Sequence, residues 1–390
     1  MVPGSLRAAM LRILLLVSQV LVAALAVYNL GVALWGLPNQ AAIRRGTRRR
    51  RLRVVIPAHN EAAVIGSVLS DLAGQDYPAD RVRVAVIADR CTDDTVLVVR
   101  QAEVVERRDG PDGKGAALSW YLQQSPLDAD ESLVVLDADN RIDATFLAGV
   151  ADALDWGFDA AQAYVDTSNP DASWLTTASA LSYWASNRMV QLARHNLGWA
   201  PDLGGTGTAF APTASFVLDS HSGVLTEDSE QVARLILAGR RIAWLHDVRV
   251  YDQKPASVGV AMRQRARWMS GKRSVARAYR LSMLGAALRQ RSWSLIDLMI
   301  RQGQPGRAFM VGVSAALGVA AGFTDLLWPW WVWAMIVAVQ VLAPLVFLIR
   351  DRVPARYLWR YPLLVVFGLA WLPVRVMSSR VRGWYHTPHD

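Results

Sequence analysis

Residues 132–140 read SLVVLDADN, an apolar run that stops at two carboxylates one residue apart. In an extended strand, side chains two apart point to the same side. The alternation therefore predicts that Asp137 and Asp139 converge just beyond a sheet edge. Two carboxylates that close repel each other and raise one pKa unless a cation neutralises them. Hard oxygen ligands favour Mg²⁺ or Mn²⁺, which in turn holds a diphosphate. The same residues also fit a plain acidic strand end that leads into a turn capped by Asn140.

Outward from this stretch, LRVVIPAHN (52–60), VRVAVIADR (82–90) and, more weakly, DAAQAYVD (159–166) are further β-rich runs. EAAVIGSVLSDLAG (61–74), TDDTVLVVRQA (92–102) and GKGAALSWYLQQS (113–125) read as helices between them. This order predicts an α/β domain with a mostly parallel sheet covered by helices, and ligands at the carboxyl ends of its strands. At those ends, Asp89 can accept a hydrogen bond from a nucleotide base, and Glu61 can reach the same nucleoside. The simpler roles are a helix cap or turn residue and a first-turn acid. Lys114, behind Gly113 at a helix start, meets either a phosphate or solvent.

Three later motifs extend the set. GGTGTAF (204–210) brings Gly205 and Gly207, which allow backbone N–H groups to approach a ligand closely or simply make a turn. In LTEDSE (225–230), Glu227 and Asp228 stand before a helical run. They belong to a capping segment with Thr226 as cap, or supply a carboxylate that takes a proton from a hydroxyl nucleophile. QRARW (264–268) offers Gln264, Arg265, Arg267 and Trp268: two cations for a diphosphate and an indole face for a sugar, or a basic interfacial helix.

Composition places this domain beside a membrane. The 390 residues are 53% hydrophobic and 19% charged, which is apolar for a soluble enzyme. Residues 8–37 exceed the roughly 20 apolar residues needed to cross a bilayer, too long an apolar run for a cleaved leader. The net charge of +9 includes seven arginines within 43–53, directly after that segment. They suit anionic headgroups and a positive-inside anchor rather than a nucleic-acid partner. The expected layout is an anchor at 8–37 with its N-terminus outside, a cytoplasmic catalytic domain at 50–254, and interfacial amphipathic helices at 255–305. About three membrane segments follow within 307–377, at 308–323, 326–349 and 361–374. Three exits would leave Arg375, Arg380 and Arg382 outside, against the positive-inside rule; a re-entrant last segment or one span fewer removes the conflict. A single cysteine, Cys91, excludes an intramolecular disulfide framework and fits a reducing compartment.

In chain order, PAHNE (57–61), ADR (88–90), DAD (137–139), GGTGTAF, TED (226–228) and QRARW resemble the membrane-integrated inverting glycosyltransferases of family 2. That group contains cellulose, chitin and hyaluronan synthases, nodulation chitooligosaccharide synthases and ceramide glucosyltransferases. The pairing of TED with QxxRW carries most of the specificity. The resemblance implies a GT-A fold, a nucleotide-sugar donor (usually a UDP-sugar), a glycan or lipid acceptor, and a multi-pass location in a bacterial plasma membrane. It implies Asp89 at the base, Asp137 at the diphosphate and Asp139 on Mg²⁺ or Mn²⁺. Asp228 would be the general base with Glu227 beside it, and Gln264, Arg265, Arg267 and Trp268 would surround the diphosphate and the acceptor. The segment MSGKRSVAR after QRARW does not match the gating loop of cellulose synthases. Polymer synthesis and transfer of one sugar to a lipid therefore both stay open, as does a non-catalytic nucleotide-binding scaffold or transporter subunit.

Overall fold

The β-rich runs become the strands of one sheet. The computed structural model describes residues 4–219, 226–370 and 374. Its strands are β1 (Arg51–Ala58), β2 (Val82–Asp89), β3 (Glu103–Arg107), β4 (Glu131–Val135), β5 (Arg141–Ile142), β6 (Ala160–Thr167), β7 (Thr208–Phe210) and β8 (Ile242–Asp252), in the order β3-β2-β1-β4-β7-β6-β8-β5. The helices of the first part are α1 (Gly4–Leu34), α2 (Ile65–Ala73), α3 (Thr95–Val98), α4 (Lys114–Gln124), α5 (Phe146–Asp155), α6 (Trp174–Ser186) and α7 (Ala193–Asn196). Those of the second are α8 (Glu227–Leu237), α9 (Val258–Gln290), α10 (Trp293–Gly303), α11 (Arg307–Ala320), α12 (Trp330–Arg350), α13 (Ala355–Leu358) and α14 (Pro362–Ala370).

The sheet is mixed, not mostly parallel. β3, β2, β1 and β4 pair in parallel, as does β6 with β8. However, β7 runs antiparallel between β4 and β6, and β5 runs antiparallel to β8. Only three residues long, β7 directly follows the glycines of GGTGTAF, so its sequence shows a turn and no strand period. The expected helix at 92–102 also shrinks to the single turn α3. Val96, Val98 and Val99 are β-branched and stiff, and the chain passes on into β3.

Both faces of the central strands are covered, which explains their unbroken apolar runs. Leu52, Val54 and Ile56 pack with Ile65 and Val68 of α2 and Phe146, Leu147 and Val150 of α5. Val55, Leu133 and Val135 face the other way, into a layer with Leu118 and Tyr121 of α4 and Val232 and Leu235 of α8. Val275, Met283, Ala286 and Ala287 of α9, with Leu295 and Leu298 of α10, belong to that second layer. These two helices therefore build the domain's own core, beyond the boundary expected at 254. Their outer side exposes Leu281, Leu288 and Trp293.

Among the described residues, two helical stretches, Ala9–Leu34 and Trp330–Arg350, are long and apolar enough to cross a bilayer, and little of either is buried by protein. Of the three C-terminal segments expected, 326–349 reaches spanning length among the described residues, while 371–373 of the segment 361–374 lie outside them. The helix at 308–323, α11, has 14 residues, too few for a hydrocarbon core about 30 Å thick, and the helix described in the last segment is α14. Trp371, Pro373, Arg375, Arg380 and Arg382 lie outside the described residues, as does Leu225. α11 and α12 form a hairpin in which Trp328 stacks on Trp333 at 5.7 Å and Gln340 Nε2 donates to Ser314 Oγ at 3.2 Å. Gln19 of α1 accepts from the Trp328 backbone N–H at 2.6 Å.

The arginine cluster is used differently from the expectation. Arg48 pairs with Asp76, Arg50 with Asp155 and Arg51 with Asp128, at 2.9, 2.8 and 3.0 Å, while Arg53 and Glu131 form a fully buried pair. These arginines fasten the chain to the domain, and Arg44, Arg45 and Arg49 are exposed.

A buried polar knot joins the apolar helices to the sheet. Asp351, at the end of α12, accepts from Arg188 Nε at 2.8 Å, meets His246 Nε2 of β8 at 2.8 Å and accepts from Tyr164 Oη of β6 at 3.1 Å. Removing one partner of a buried pair leaves the other charge uncompensated and costs about 3–5 kcal/mol. Asp351→Ala is therefore expected to lower the unfolding midpoint sharply, with Asp351→Asn milder, as read by thermal unfolding of the reconstituted protein. A midpoint equal to wild type would show that the knot carries no stability.

Candidate active site

Parallel register brings the strand ends to one edge. Ala58 pairs with Ala88 across β1 and β2, and Val55 with Val135 across β1 and β4, so the segments after Ala58, Asp89 and Val135 emerge side by side. Over this edge lies a cavity of about 1450 Å³, lined by every candidate residue named above except Gly207. Gly207 has φ +62°, and a methyl group there would come 2.5 Å from Val250 Cγ1. It serves close packing rather than ligand contact.

The Asp137–Asp139 pair converges for a different reason than strand alternation. β4 ends at Val135, and 137–140 is a turn closed by the Asn140 N–H donating to the Asp137 carbonyl at 3.2 Å. The Asp137 N–H is held by Asn140 Oδ1 and Thr206 Oγ1, each at 3.0 Å, so the acidic turn is locked to the glycine loop. Asp137 forms an ion pair with Lys114, whose ammonium also donates to the Gly205 carbonyl at 2.8 Å. Lys114 thus ties the start of α4, the acidic turn and the glycine loop together. Gly205 itself sits at φ +81°, a conformation that favours glycine.

Asp139 is a strongly perturbed carboxyl of the group. Burial, then the negative charges of Asp252, Asp137 and Glu61, push its pKa well above the usual carboxylate range. Glu61 rises to about 7 by burial and by the nearby charges of Asp137 and Asp93. Such mutual repulsion is what a divalent cation relieves. Among the described residues no cluster of three or more His, Cys, Asp or Glu side chains forms a ready-made metal cage. An Mg²⁺- or Mn²⁺-type ion is commonly held by one or two carboxylates plus substrate phosphates and needs no such cage. Asp139, with Asp137, would hold it.

Asp89 lines the cavity, but its carboxylate is already engaged. Arg107 Nη1 donates to it at 2.8 Å, and Arg90 donates to both oxygens at 3.1 Å. What it offers a nucleoside is therefore a rigid, doubly paired acceptor.

TED opens α8. Thr226 makes no side-chain cap, and its buried hydroxyl has no hydrogen-bond partner among the described residues, so the capping role falls away. Instead the Ser229 N–H donates to Asp228 Oδ1 at 2.6 Å. Burial raises the pKa of Glu227, with further repulsion from Asp228, while Lys114 and Arg267 oppose the shift. Burial also raises Asp228, opposed by Lys272 and reinforced by Asp202. Two half-buried carboxylates thus stand where the cavity meets α9.

QRARW lies on α9, three and four residues before Gly271 and Lys272 along the same helix. Arg267 Nε is buried and has no hydrogen-bond partner among the described residues, a donor available to a ligand. The Arg265 guanidinium lies 4.6 Å from the centre of the Phe367 ring, and burial lowers its pKa. Gly271 lets α9 approach the start of α8, because a methyl group there would come 2.4 Å from Thr226. Gly271→Ala is expected to push QRARW away from TED and lower kcat by about 10²-fold, the cost typical of small misplacements. Circular dichroism should stay unchanged, and unimpaired turnover would count against this packing contact.

Asp252, Lys272 and Asp202 were not among the residues read from the sequence. Asp252 closes IAWLHDVRVYD (242–252), another β-rich run with a terminal carboxylate, and the same rule that selected Asp89 would have found it. No local signal marks Lys272 or Asp202, whose importance comes from tertiary placement.

Residues 50–271, more than half of the chain, match the model of a family described as glycosyltransferase like family 2. The chain is 28% identical over 231 residues to the beta-monoglucosyldiacylglycerol synthase of Synechocystis sp., covering 56% of this chain and 47% of that protein. It is 25% identical over 233 residues to an N-acetylglucosaminyltransferase of Rhizobium leguminosarum bv. viciae, covering 55% and 54%. The chain thus spans about half the length of the curated relatives it matches. Among solved structures, the mannosyltransferase PcManGT of Pyrobaculum calidifontis, in complex with GDP-Man and Mn²⁺, superposes with a TM-score of 0.53 at 20% identity, over 87% of this chain and 99% of that one. That likeness is one of fold. The strand-end carboxylates, the TED pair and the QRARW helix sit in a GT-A-like framework, and the chain belongs to glycosyltransferase family 2.

Proposed function

We propose that the protein transfers a single sugar from a nucleotide-sugar to a lipid hydroxyl at the membrane face, with inversion at the anomeric carbon. The observation that carries this reading is the placement of Asp228 and Glu227 in one cavity with Asp139, Lys114 and Arg267. Asp228 takes the proton of the acceptor hydroxyl. Its raised pKa makes it a stronger base than an ordinary carboxylate. Lys114 and Arg267 stabilise the charge that develops on the departing nucleoside diphosphate, and Trp268 offers an indole face to the sugar. A divalent cation held by Asp139, when bound, supplies further charge neutralisation of the diphosphate. One displacement at the anomeric carbon needs no nucleophile from the protein.

The lipid acceptor is favoured over a growing polymer by the far half of the cavity. Phe309, Val311, Val341, Leu364 and Val365 line it, and such walls suit acyl chains better than sugar hydroxyls. The Synechocystis relative is, by its name, a synthase of a glucosyl-diacylglycerol, which agrees. We place α1 and α12 across the bilayer, with the domain of 50–305 on the cytoplasmic side of a plasma membrane. Exposed Leu14, Leu21, Val27, Met335, Leu342 and Ile349 on these helices support that placement.

The test is the stereochemistry of the product. Nuclear magnetic resonance of the glycolipid made by the full-length protein in nanodiscs should show an anomeric centre opposite to that of the donor. Retention would rule out the single displacement, and a soluble oligosaccharide as sole product would rule out the lipid acceptor.

A further inference from the structure

Beyond Trp268 the cavity runs past Met189 and ends among α11, α12 and α14. A cation stands in this apolar part. Arg307, the first residue of α11, keeps accessible surface and faces the cavity. Its Nη1 lies 3.4 Å from Met189 Sδ, an uncharged and weak acceptor. Among the described residues no carboxylate pairs with it. Gln302, at the end of α10, lines the same corner, and its buried side-chain oxygen has no hydrogen-bond partner among the described residues. The oxygen and nitrogen of an amide are interchangeable by a flip, so Gln302 can turn a donor into the cavity. The corner is braced from outside: Asn29 of α1 and Gln304 exchange hydrogen bonds of 2.9 and 3.2 Å. α11 also starts at Gly306 without a side-chain cap, leaving first-turn N–H groups to be satisfied.

Arg307 is exposed and no carboxylate among the described residues pairs with it, and an anionic ligand would supply that partner. We propose that Arg307, Gln302 and the first turn of α11 form an anion subsite for the acceptor. It takes the phosphate of a phospholipid whose headgroup hydroxyl is presented to Asp228. This rests on the glycosyl-transfer reading above and names the acceptor class. The bond from the anomeric carbon to the diphosphate breaks, and its electron pair leaves with the nucleoside diphosphate. The headgroup oxygen forms the new bond to that carbon, and its proton passes to Asp228. The acyl chains lie against Val311, Val341 and Leu364. A neutral lipid would leave Arg307 uncompensated.

The experiment uses the full-length protein in phosphatidylcholine nanodiscs doped separately with phosphatidylglycerol, diacylglycerol or a polyprenyl monophosphate. A radiolabelled nucleotide-sugar that the protein hydrolyses is added, and the label is followed into lipid. Phosphatidylglycerol should be labelled. Arg307→Met should raise its apparent KM by at least about tenfold, the loss expected for a hydrogen bond to a charged group. The donor KM should stay unchanged, which also reports a folded site, and Arg307→Lys should retain most activity. Equal labelling of diacylglycerol, or labelling indifferent to Arg307→Met, overturns the subsite. Labelling of polyprenyl phosphate alone overturns it too, because that phosphate would then be the nucleophile beside Asp228. Donor hydrolysis with no labelled lipid defeats the subsite and leaves donor chemistry standing. Absence of donor binding and hydrolysis defeats the glycosyl-transfer reading, and the subsite falls with it.

Discussion

Asp228→Asn is expected to reduce kcat by roughly 10²- to 10⁴-fold, the range of general-base catalysis, with little change in donor KM. Asparagine keeps the shape and can still accept from the Ser229 N–H, but it cannot take the acceptor's proton. The contrast with Glu227 is informative. Glu227 Oε1 is the atom nearest to the position a methyl group on Gly205 would take, at 3.9 Å, and Lys114 and Arg267 act on it electrostatically. Glu227→Gln should therefore raise donor KM more than it lowers kcat. The pH profile gives an independent check. Because the pKa of Asp228 is raised, the base is lost as pH falls through that raised value, and the acid limb of kcat should lie above the ordinary carboxylate range. Asp228→Asn should abolish this limb. Near-normal kcat in that variant would remove Asp228 from the mechanism.

The second large effect concerns the cation. Chelation with EDTA is expected to abolish transfer, with restoration by Mn²⁺ or Mg²⁺, and Asp139→Asn should lose at least about 10²-fold, since the cation contributes several kcal/mol of charge stabilisation. The same substitution should stabilise the metal-free fold. Asp139 faces the negative charges of Asp252, Asp137 and Glu61, so neutralising it removes repulsion, and the unfolding midpoint should rise by a few degrees, about the shift of 1 kcal/mol or less. Proton release offers another readout. Glu61 has a pKa of about 7 and is partly protonated at neutral pH. A cation beside it lowers that pKa, so Mn²⁺ binding at pH 7 should release protons, detectable by calorimetry in buffers of different ionisation enthalpy. Activity indifferent to EDTA and to Asp139→Asn would contradict the cation's role.

Much of the site was legible because its residues come directly after apolar runs. A parallel strand announces itself by a buried stretch, and the residues just past its end arrive at a common edge, so the sequence alone gathers Glu61, Asp89, Asp137 and Asp139. The reason given for the pairing of Asp137 and Asp139 was nevertheless wrong. Alternation presumes extended backbone as far as Asp139, whereas β4 stops at Val135 and a turn held by Asn140 and Thr206 makes the pair. Three-residue β7 was hidden because glycines mask a strand period. α9 and α10 were read as membrane-surface helices because an amphipathic pattern records an apolar face without saying whether lipid or protein covers it. Here Met283, Ala287 and Leu298 are covered by the domain itself. Lys272, Asp202 and Arg307 have no local signature, and each matters only through the neighbours that folding supplies.

The most direct test is sugar transfer by the full-length protein in nanodiscs containing a bacterial lipid extract, with UDP-, GDP- and dTDP-sugars labelled in the sugar. The account predicts that one donor class labels a lipid, that Mn²⁺ or Mg²⁺ is required, and that Asp228→Asn binds this donor normally without transferring from it. Labelling that survives in Asp228→Asn, or donor binding without transfer by the wild-type protein from any of the three classes, would contradict it.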